Sequence, residues 1–290
     1  MAAFVAVCDA HGFASAARRL GLSPSVVTRQ LAALEDALGV RLLNRTTRSL
    51  HLTEAGARYL ERARRILAEV EEAELVAQGE SAEPSGRLSV AAPLIFGRQH
   101  VAPLLTRFLA LNPRTRAELS LSDRVIDLIE EGRDLAIRIG RLPDSTLIAR
   151  RLGETRRVVV ASPAYLARAG EPQHPAELAR HAVIAFTALF PIPDWRFVED
   201  GHELRVRVEP RLSSDSGDVA LAHAVEGGGL TRALSYQTRA AIADGRLVEV
   251  LAAYAPEPLP IQAVYPSARF LPVKVRAFLD LLEREVDWRF

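Results

Sequence analysis

Cysteine occurs once in this 290-residue chain, at Cys8. One thiol makes neither an internal disulfide nor a cysteine zinc cage, which excludes a secreted disulfide scaffold and a zinc finger. A reducing cytoplasm fits that usage. No uninterrupted apolar run approaches the roughly 18 residues that a membrane-spanning helix needs, so no membrane role is expected. Met1 to Cys8 is apolar but has no basic flank, and Asp9 and His11 follow at once, so no signal peptide is expected. Lysine is also single, Lys274, and the basic charge is otherwise arginine, a skew that carries no functional information. The net charge is only +1, which by itself points to neither nucleic acid nor a membrane. What is present is apolar mass: 49% hydrophobic residues exclude a mainly disordered chain, and the length suggests two domains.

The overall neutrality conceals a local asymmetry. From Ala14 to Arg48, six arginines (18, 19, 29, 41, 45 and 48) face only Glu35 and Asp36, a balance of +4. From Glu69 to Glu83 there are six acids and no base. The basic head reads as short helices. Met1 to Ala10 is apolar and helical in character, and His11-Gly12 breaks it. Phe13 to Leu20 forms a second helix that ends at Gly21 as at a C′ glycine. Ser23 is a good N-cap and Pro24 suits the first helical position of a third. Val27, Leu31, Leu34 and Leu38 share one face of that helix, Ser25, Thr28, Arg29 and Ala32 lie on the other, and Gly39 closes it. Val40 to Leu43 and Leu50 to Leu52 predict two short strands around the basic turn Asn44 to Ser49. Thr53 caps a long helix to about Gln78, whose seam of Leu60, Ala63, Leu67, Val70 and Ala77, broken by Glu74, predicts a two-helix dimer contact. Gly79 to Gly86 reads as a hinge.

From Arg87 the pattern alternates strand and helix, which argues an α/β body with a mostly parallel sheet. Strands are predicted at 88–92, 117–121, 135–139, 158–161, 183–186, 195–198, 204–208 and 261–265. Helices are predicted at 97–111, 124–131, 218–226 and 273–285.

Two helices joined by a tight glycine-containing turn, with polar and basic residues facing out from the second, describe a helix-turn-helix. The second helix can enter a major groove and offer Ser25, Thr28 and Arg29 to base edges and phosphates. Arg45, Thr46 and Arg48 then reach the backbone or minor groove as a wing.

The residues Phe13 to Leu20, Gly21-Leu22-Ser23-Pro24-Ser25, Thr28-Arg29-Gln30-Leu31, Leu34-Glu35, Leu38-Gly39-Val40, Leu43, Arg45-Thr46-Thr47-Arg48 and Leu52-Thr53-Glu54-Ala55-Gly56 closely resemble the DNA-binding head of LysR-type transcriptional regulators. Softer motifs in the right order extend the resemblance: Ala92-Pro93 with Phe96-Gly97-Arg98, Leu135 to Gly140, Ser162 to Leu166 and Leu271 to Arg276. The resemblance implies an α + α/β chain with three parts: an N-terminal winged helix-turn-helix, a long dimerisation helix, and a periplasmic-binding-protein-like (type 2) effector domain of two subdomains. On this basis residues 1–52 are the DNA-binding domain with Ser23 among its contacts, 53–78 the dimerisation helix, 79–86 the hinge and 87–290 the effector-binding domain. Its first half is expected at 87–161 plus 266–290 and its second at 162–265. The implied partners are double-stranded promoter DNA, a small organic effector, further copies of the chain as homodimer or homotetramer, and RNA polymerase. The chain departs from the family pattern in three places. It begins about six residues late, so the first helix is short, and either the true start lies upstream or the packing under the recognition helix is weaker. Thr28 stands where serine is usual, and Ala14 replaces the usual Ser or Thr, so capping of the second helix falls to Gly12 or is lost.

In such a body the effector cleft lies at strand C-termini and helix N-termini, where free backbone N–H groups attract anions. The expected contacts are Pro93, Leu94, Phe96, Ser122, Arg138, Gly140, Ser214, Asp215 and Ser216. Arg138 could pair with a carboxylate, and Ser214 and Ser216 could donate to one.

Other chemistry finds no constellation. The seven histidines show no metal-ligand spacing, and Gly227-Gly228-Gly229 lacks a nucleotide-binding context. Ser162 and Ser235 sit in no nucleophile elbow. No metal, cofactor or enzymatic activity is expected, and Cys8 reads as packing. The alternative is a solute-binding protein or small-molecule enzyme built on the same α/β body, against which the basic head argues.

Overall fold

The computed structural model describes every residue except 11, 46–49, 78–82, 125–127, 129–130, 143–144, 189–193, 267–270 and 286. At 45, 50, 65, 68, 69 and 71–77 it describes the backbone only. The chain divides into two compact units, Met1–Glu83 and Pro84–Phe290.

The first unit contains α1 (Ala2–Asp9), α2 (Phe13–Leu20), α3 (Pro24–Leu38), the antiparallel hairpin β1 (Leu43–Arg45) and β2 (Leu50–Leu52), and α4 (Glu54–Ala77). Gly21 and Gly39 end α2 and α3 at φ of +66° and +67°, a left-handed conformation that costs other residues about 1–2 kcal/mol. Ser23 caps α3, its Oγ accepting from Val26 N at 3.4 Å. Gly12 stands at the N-cap of α2, which has no side-chain cap. The core joins Phe4, Val7, Ala16, Ala17, Val27, Leu31, Leu42 and Leu43. Although α1 is short, Ala3 to Cys8 are all buried, so the packing under the recognition helix is filled. Burial pushes the Cys8 thiol up to about 11, which keeps it protonated at neutral pH.

Two readings of this unit change. Leu38 is 41% exposed, because the last turn of α3 runs past the core that ends beneath Leu34. The seam of α4 is not wholly free for a second helix. Leu60 and Ala63 are buried in the head's own core and Leu67 packs against it, so the first turns of α4 roof the head. Val70, with Ile66, is exposed further along. Ala77 and Glu74 have no described side chain.

The second unit holds two five-stranded sheets. The first sheet runs β4-β3-β5-β14-β6 in spatial order: β3 (Gly86–Ala92), β4 (Thr115–Leu121), β5 (Leu135–Ile139), β6 (Leu147–Thr155) and β14 (Leu259–Pro266). A helix of three segments follows β3: α5 (Leu94–Phe96), a π turn (Gly97–Val101) and α6 (Ala102–Leu111). It packs with the C-terminal α10 (Val273–Glu285) over a core of Leu88, Val90, Phe108, Leu135, Ile137, Ile261 and Phe278.

The second sheet runs β11-β8-β12-β7-β13: β7 (Arg157–Ala161), β8 (Val183–Phe186), β11 (Pro210–Ser214), β12 (Leu230–Leu234) and β13 (Val248–Val250). One face packs on α8 (Gly217–Val225) and α9 (Ser235–Ala243). The other meets α7 (Pro163–Ala169) and the hairpin β9 (Asp194–Glu199) and β10 (His202–Arg207), through Tyr165, Trp195 and Phe197.

The sheets are mixed rather than mostly parallel. In the first, β3 pairs parallel with β4 and β5, while β14 pairs antiparallel with β5 and β6. In the second, β8 pairs parallel with β11 and β12, while β7 pairs antiparallel with β12 and β13. The reversed strands are β14 in the first sheet and β7 in the second, each the strand that enters its sheet after a passage, and no sequence pattern marks their direction. The first passage was expected at 161/162 and lies at Arg156, because β7 bonds to the second sheet, with Thr231 opposite Val160. The return was expected near Pro266 and lies between Val250 and Leu259. The apolar run Val158 to Ala161 suits either sheet, and only its partners decide. The helix expected at 124–131 falls largely on residues outside the described ones.

Candidate DNA-contacting face and effector crevice

On α3, Ser25 and Arg29 are exposed and Thr28 is half-buried. Arg29 has no ion pair among the described residues, as is also true of the exposed Arg18, Arg19 and Arg41. An unpaired guanidinium on a helix face is ready for a phosphate or a guanine edge. The hydroxyls are more constrained. Ser23 Oγ serves the cap and lies 3.0 Å from Ser25 Oγ. Thr28 Oγ1 donates back to Pro24 O at 2.9 Å, so its donor is engaged and a lone pair and the methyl remain. Arg45 ends β1, its backbone paired with Leu50. Its side chain, Thr46 and Arg48 lie outside the described residues.

Thr53 caps α4 as the sequence predicts, whereas what holds the hairpin against α3 is not marked in the sequence. Glu35 Oε1 accepts from Leu42 N at 2.8 Å and Leu43 N at 3.1 Å, which fixes where the chain leaves α3 and enters β1. Thr53 Oγ1 donates to Arg41 O at 2.7 Å and accepts from Gly56 N at 2.9 Å. Gly56 itself is needed, since a Cβ there would lie 2.0 Å from Leu42 O. The only sequence signal for these contacts was the acid at 35 followed by a cap-like Thr-Glu-Ala-Gly.

The expected effector residues do not form one site. Ser122 and Arg138 share a hollow of about 40 Å³ with Glu131 and Ala136. Burial holds the Arg138 guanidinium below its usual range, offset by Glu131. Gly140 belongs to a different opening. Phe96 is fully buried in the core, stacked on Trp288 at 5.3 Å and edge-on to Tyr236 at 5.0 Å. Its apolar helix-start position reads the same in sequence for a core residue as for a ligand contact.

The helix-terminal donors expected to meet an anion are engaged internally. Leu94 N donates to Asp123 Oδ1 at 3.0 Å and Ser216 N to Ser214 Oγ at 3.1 Å. Pro93 O accepts from Gly97 N, Ser122 Oγ accepts from Arg124 N, and Asp215 is exposed. Burial raises the Asp123 carboxyl, and the nearby Asp218 adds to that. The starts of α5 and α8 meet directly. Ile95 Cδ1 lies 2.9 Å from where a Gly217 Cβ would be, and Arg98 bridges to Asp218 at 2.8 Å. This end of the crevice between the two sheets is closed.

The architecture is that of a winged helix-turn-helix unit followed by a two-lobed α/β sensor unit, the build of a ligand-responsive DNA-binding regulator. Comparison with known proteins gives the family. The profile described as "Bacterial regulatory helix-turn-helix protein, lysR family" matches residues 1–57, and that described as "LysR substrate binding domain" matches 81–287. The chain belongs to the LysR family of transcriptional regulators. It is 38% identical over 284 residues to the HTH-type transcriptional regulator CrgA of Neisseria meningitidis serogroup C, a match that covers 98% of this chain and 95% of the relative. The solved structure of CrgA from Neisseria meningitidis superposes with a TM-score of 0.65 at 37% identity, covering 98% and 96% of the two chains. The full-length structure of the Vibrio cholerae virulence activator AphB gives 0.62 at 30% identity, covering 97% and 96%. The chain is a DNA-binding transcriptional regulator with an effector-binding domain. No helix among the described residues is long and apolar enough to cross a membrane.

Proposed function

We propose that α3 is the recognition helix, with Arg29 and Ser25 on base edges, Thr28 contributing its methyl and a lone pair, Ser23 holding the helix start, and Arg45, Thr46 and Arg48 on the backbone as a wing. Two heads of a homodimer read two half-sites of promoter DNA in the cytoplasm, and pairs of dimers assemble as a homotetramer that communicates with RNA polymerase. A small organic effector shifts the balance between two arrangements of the heads and so changes the bend of the DNA. The observation that carries this reading is the Arg29 guanidinium, without an ion pair among the described residues, on the exposed face of a helix held by a serine cap and a glycine stop.

Footprinting and anisotropy on a selected operator test it. Arg45→Ala should weaken binding to all duplexes and lower the salt slope by about one. Arg29→Ala should also relax sequence choice, by about 1–3 kcal/mol where it meets a guanine. A footprint unchanged in the double variant would overturn the assignment.

A further inference from the structure

While one end of the crevice is closed by Ile95 and the Arg98–Asp218 pair, the other end holds a cavity of about 780 Å³. Gly140 is the only expected effector residue in its lining. Its walls come from both sheets. The end of β5 and the start of β14 supply Ile139, Gly140 and Leu259, while β7, β12 and the β9–β10 hairpin supply Arg157, Leu234, Arg196 and Phe197. That volume falls in the range of about 300–1,000 Å³ typical of small-molecule sites, and mixed apolar walls with a few converging charges are what such sites show.

The charges are cationic and poorly matched. Arg141 pairs with Glu257 at 3.1 Å, and Arg196 approaches Glu203 at 3.7 Å, a carboxylate that also holds Arg205. The backbone of Arg157 pairs with Leu234 in the sheet, but its guanidinium has no hydrogen bond or ion pair among the described residues, although it is half-buried at the start of β7. Its guanidinium is held below its usual range by burial and then by the like charge of Arg196. Behind it, buried Arg232 lies over the Trp195 ring at 5.3 Å and is brought down to about 9 by burial, with Arg157 and Arg196 adding to the effect. A half-buried cation without a counter-charge beside two further cations is destabilising in the free protein, and an anion that enters the cavity relieves it.

We propose that this cavity is the seat of the effector, and that it takes an organic anion with an apolar body, its anionic head on Arg157 with Arg196 adjoining and its body on Phe197, Leu234 and Leu259. The inference rests on the regulator reading for its biological meaning, but its binding step is independent of DNA. Arg141 and Arg196, each held by one glutamate, can turn toward the ligand and so couple occupancy to the two halves.

Calorimetry on the full chain with phthalate, phenyl phosphate and neutral benzamide tests this. Saturable binding of either anion is expected, with benzamide at least tenfold weaker; phthalate against phenyl phosphate tells carboxylate from phosphate as the head. Arg157→Gln should weaken the anion at least tenfold while the free protein melts at the same or a higher temperature. Arg98→Gln, at the closed end, should leave the affinity unchanged. Failure of both anions to bind, equal binding of benzamide, unchanged affinity in Arg157→Gln, or loss of affinity in Arg98→Gln overturns the proposal. Operator binding is measured separately. Anion binding without it would sink the regulator reading alone, and operator binding without anion binding would sink this inference alone.

Discussion

Glu35 offers the sharpest test of how the DNA-contacting face is held together. Its carboxylate accepts from Leu42 N and Leu43 N, and both of those residues are 1% exposed. In Glu35→Ala no water readily replaces the lost acceptor, so two backbone donors lose a charged partner. Hydrogen bonds to charged groups contribute about 1.5–3 kcal/mol each. The carboxylate is only partly buried, so the lower end applies and the pair together amounts to about 3 kcal/mol. That free energy corresponds to roughly 150-fold in an opening equilibrium. Hydrogen exchange should therefore show the Leu42 and Leu43 amides protected in the parent and faster by about two orders of magnitude in Glu35→Ala. Glu35→Gln keeps a neutral acceptor and should lose about half of that free energy. DNA affinity should fall in the same order, although Glu35 is itself an anion whose removal would otherwise favour DNA. Unchanged exchange at 42 and 43, or tighter DNA binding by Glu35→Ala, would show that Glu35 does not hold the hairpin in place.

Three further outcomes follow from the same structure. Gly56→Ala places a methyl 2.0 Å from Leu42 O and should destabilise the head by about 3 kcal/mol, as overpacking against backbone does, seen as a lower denaturation midpoint in far-UV circular dichroism. Thr53→Ala removes the cap of α4 and should cost about 1–2 kcal/mol on the same measurement. His100 packs against Phe96 and Phe290 with no hydrogen bond to its Nε2, and burial, with Arg239, holds its pKa below 6.5. The unfolded chain therefore takes up a proton near pH 6.5 that the folded chain resists, and stability falls as pH drops below that value, by up to about 1.4 kcal/mol per pH unit. In His100→Phe this part of the acid slope should vanish in pH-dependent melting.

The head was legible because its signals are local. Ser23-Pro24 and the glycines at 21 and 39 act within one turn of chain, and the spacing of Val27 and Leu31 needs only one helix to be read. Leu38 was misread because periodicity does not tell where a core stops. Leu60 and Ala63 were misread because an apolar seam looks alike whether it meets a second helix or roofs its own domain. In the second unit, strand positions followed from apolar runs, but direction and sheet membership depend on partners distant in sequence, as Val160 and Thr231 show. Strand β12 escaped notice because buried Thr231 and Arg232 interrupt its apolar pattern. The cavity around Arg157 was invisible for the same reason. Arg141, Arg157 and Arg196 form no motif, and only the two passages between sheets and the β9–β10 hairpin bring them together.

The central feature of this regulator is an arginine-bearing helix face that binds duplex DNA. Anisotropy of the full-length chain on a duplex recovered by selection, titrated from low to high salt, tests that directly. An enriched sequence with dyad half-sites is expected, bound with a steeply negative dependence of log affinity on log salt, of which Arg45→Ala removes about one unit and Arg29→Ala the sequence preference. No enriched sequence, or an affinity indifferent to salt and to both substitutions, would contradict it.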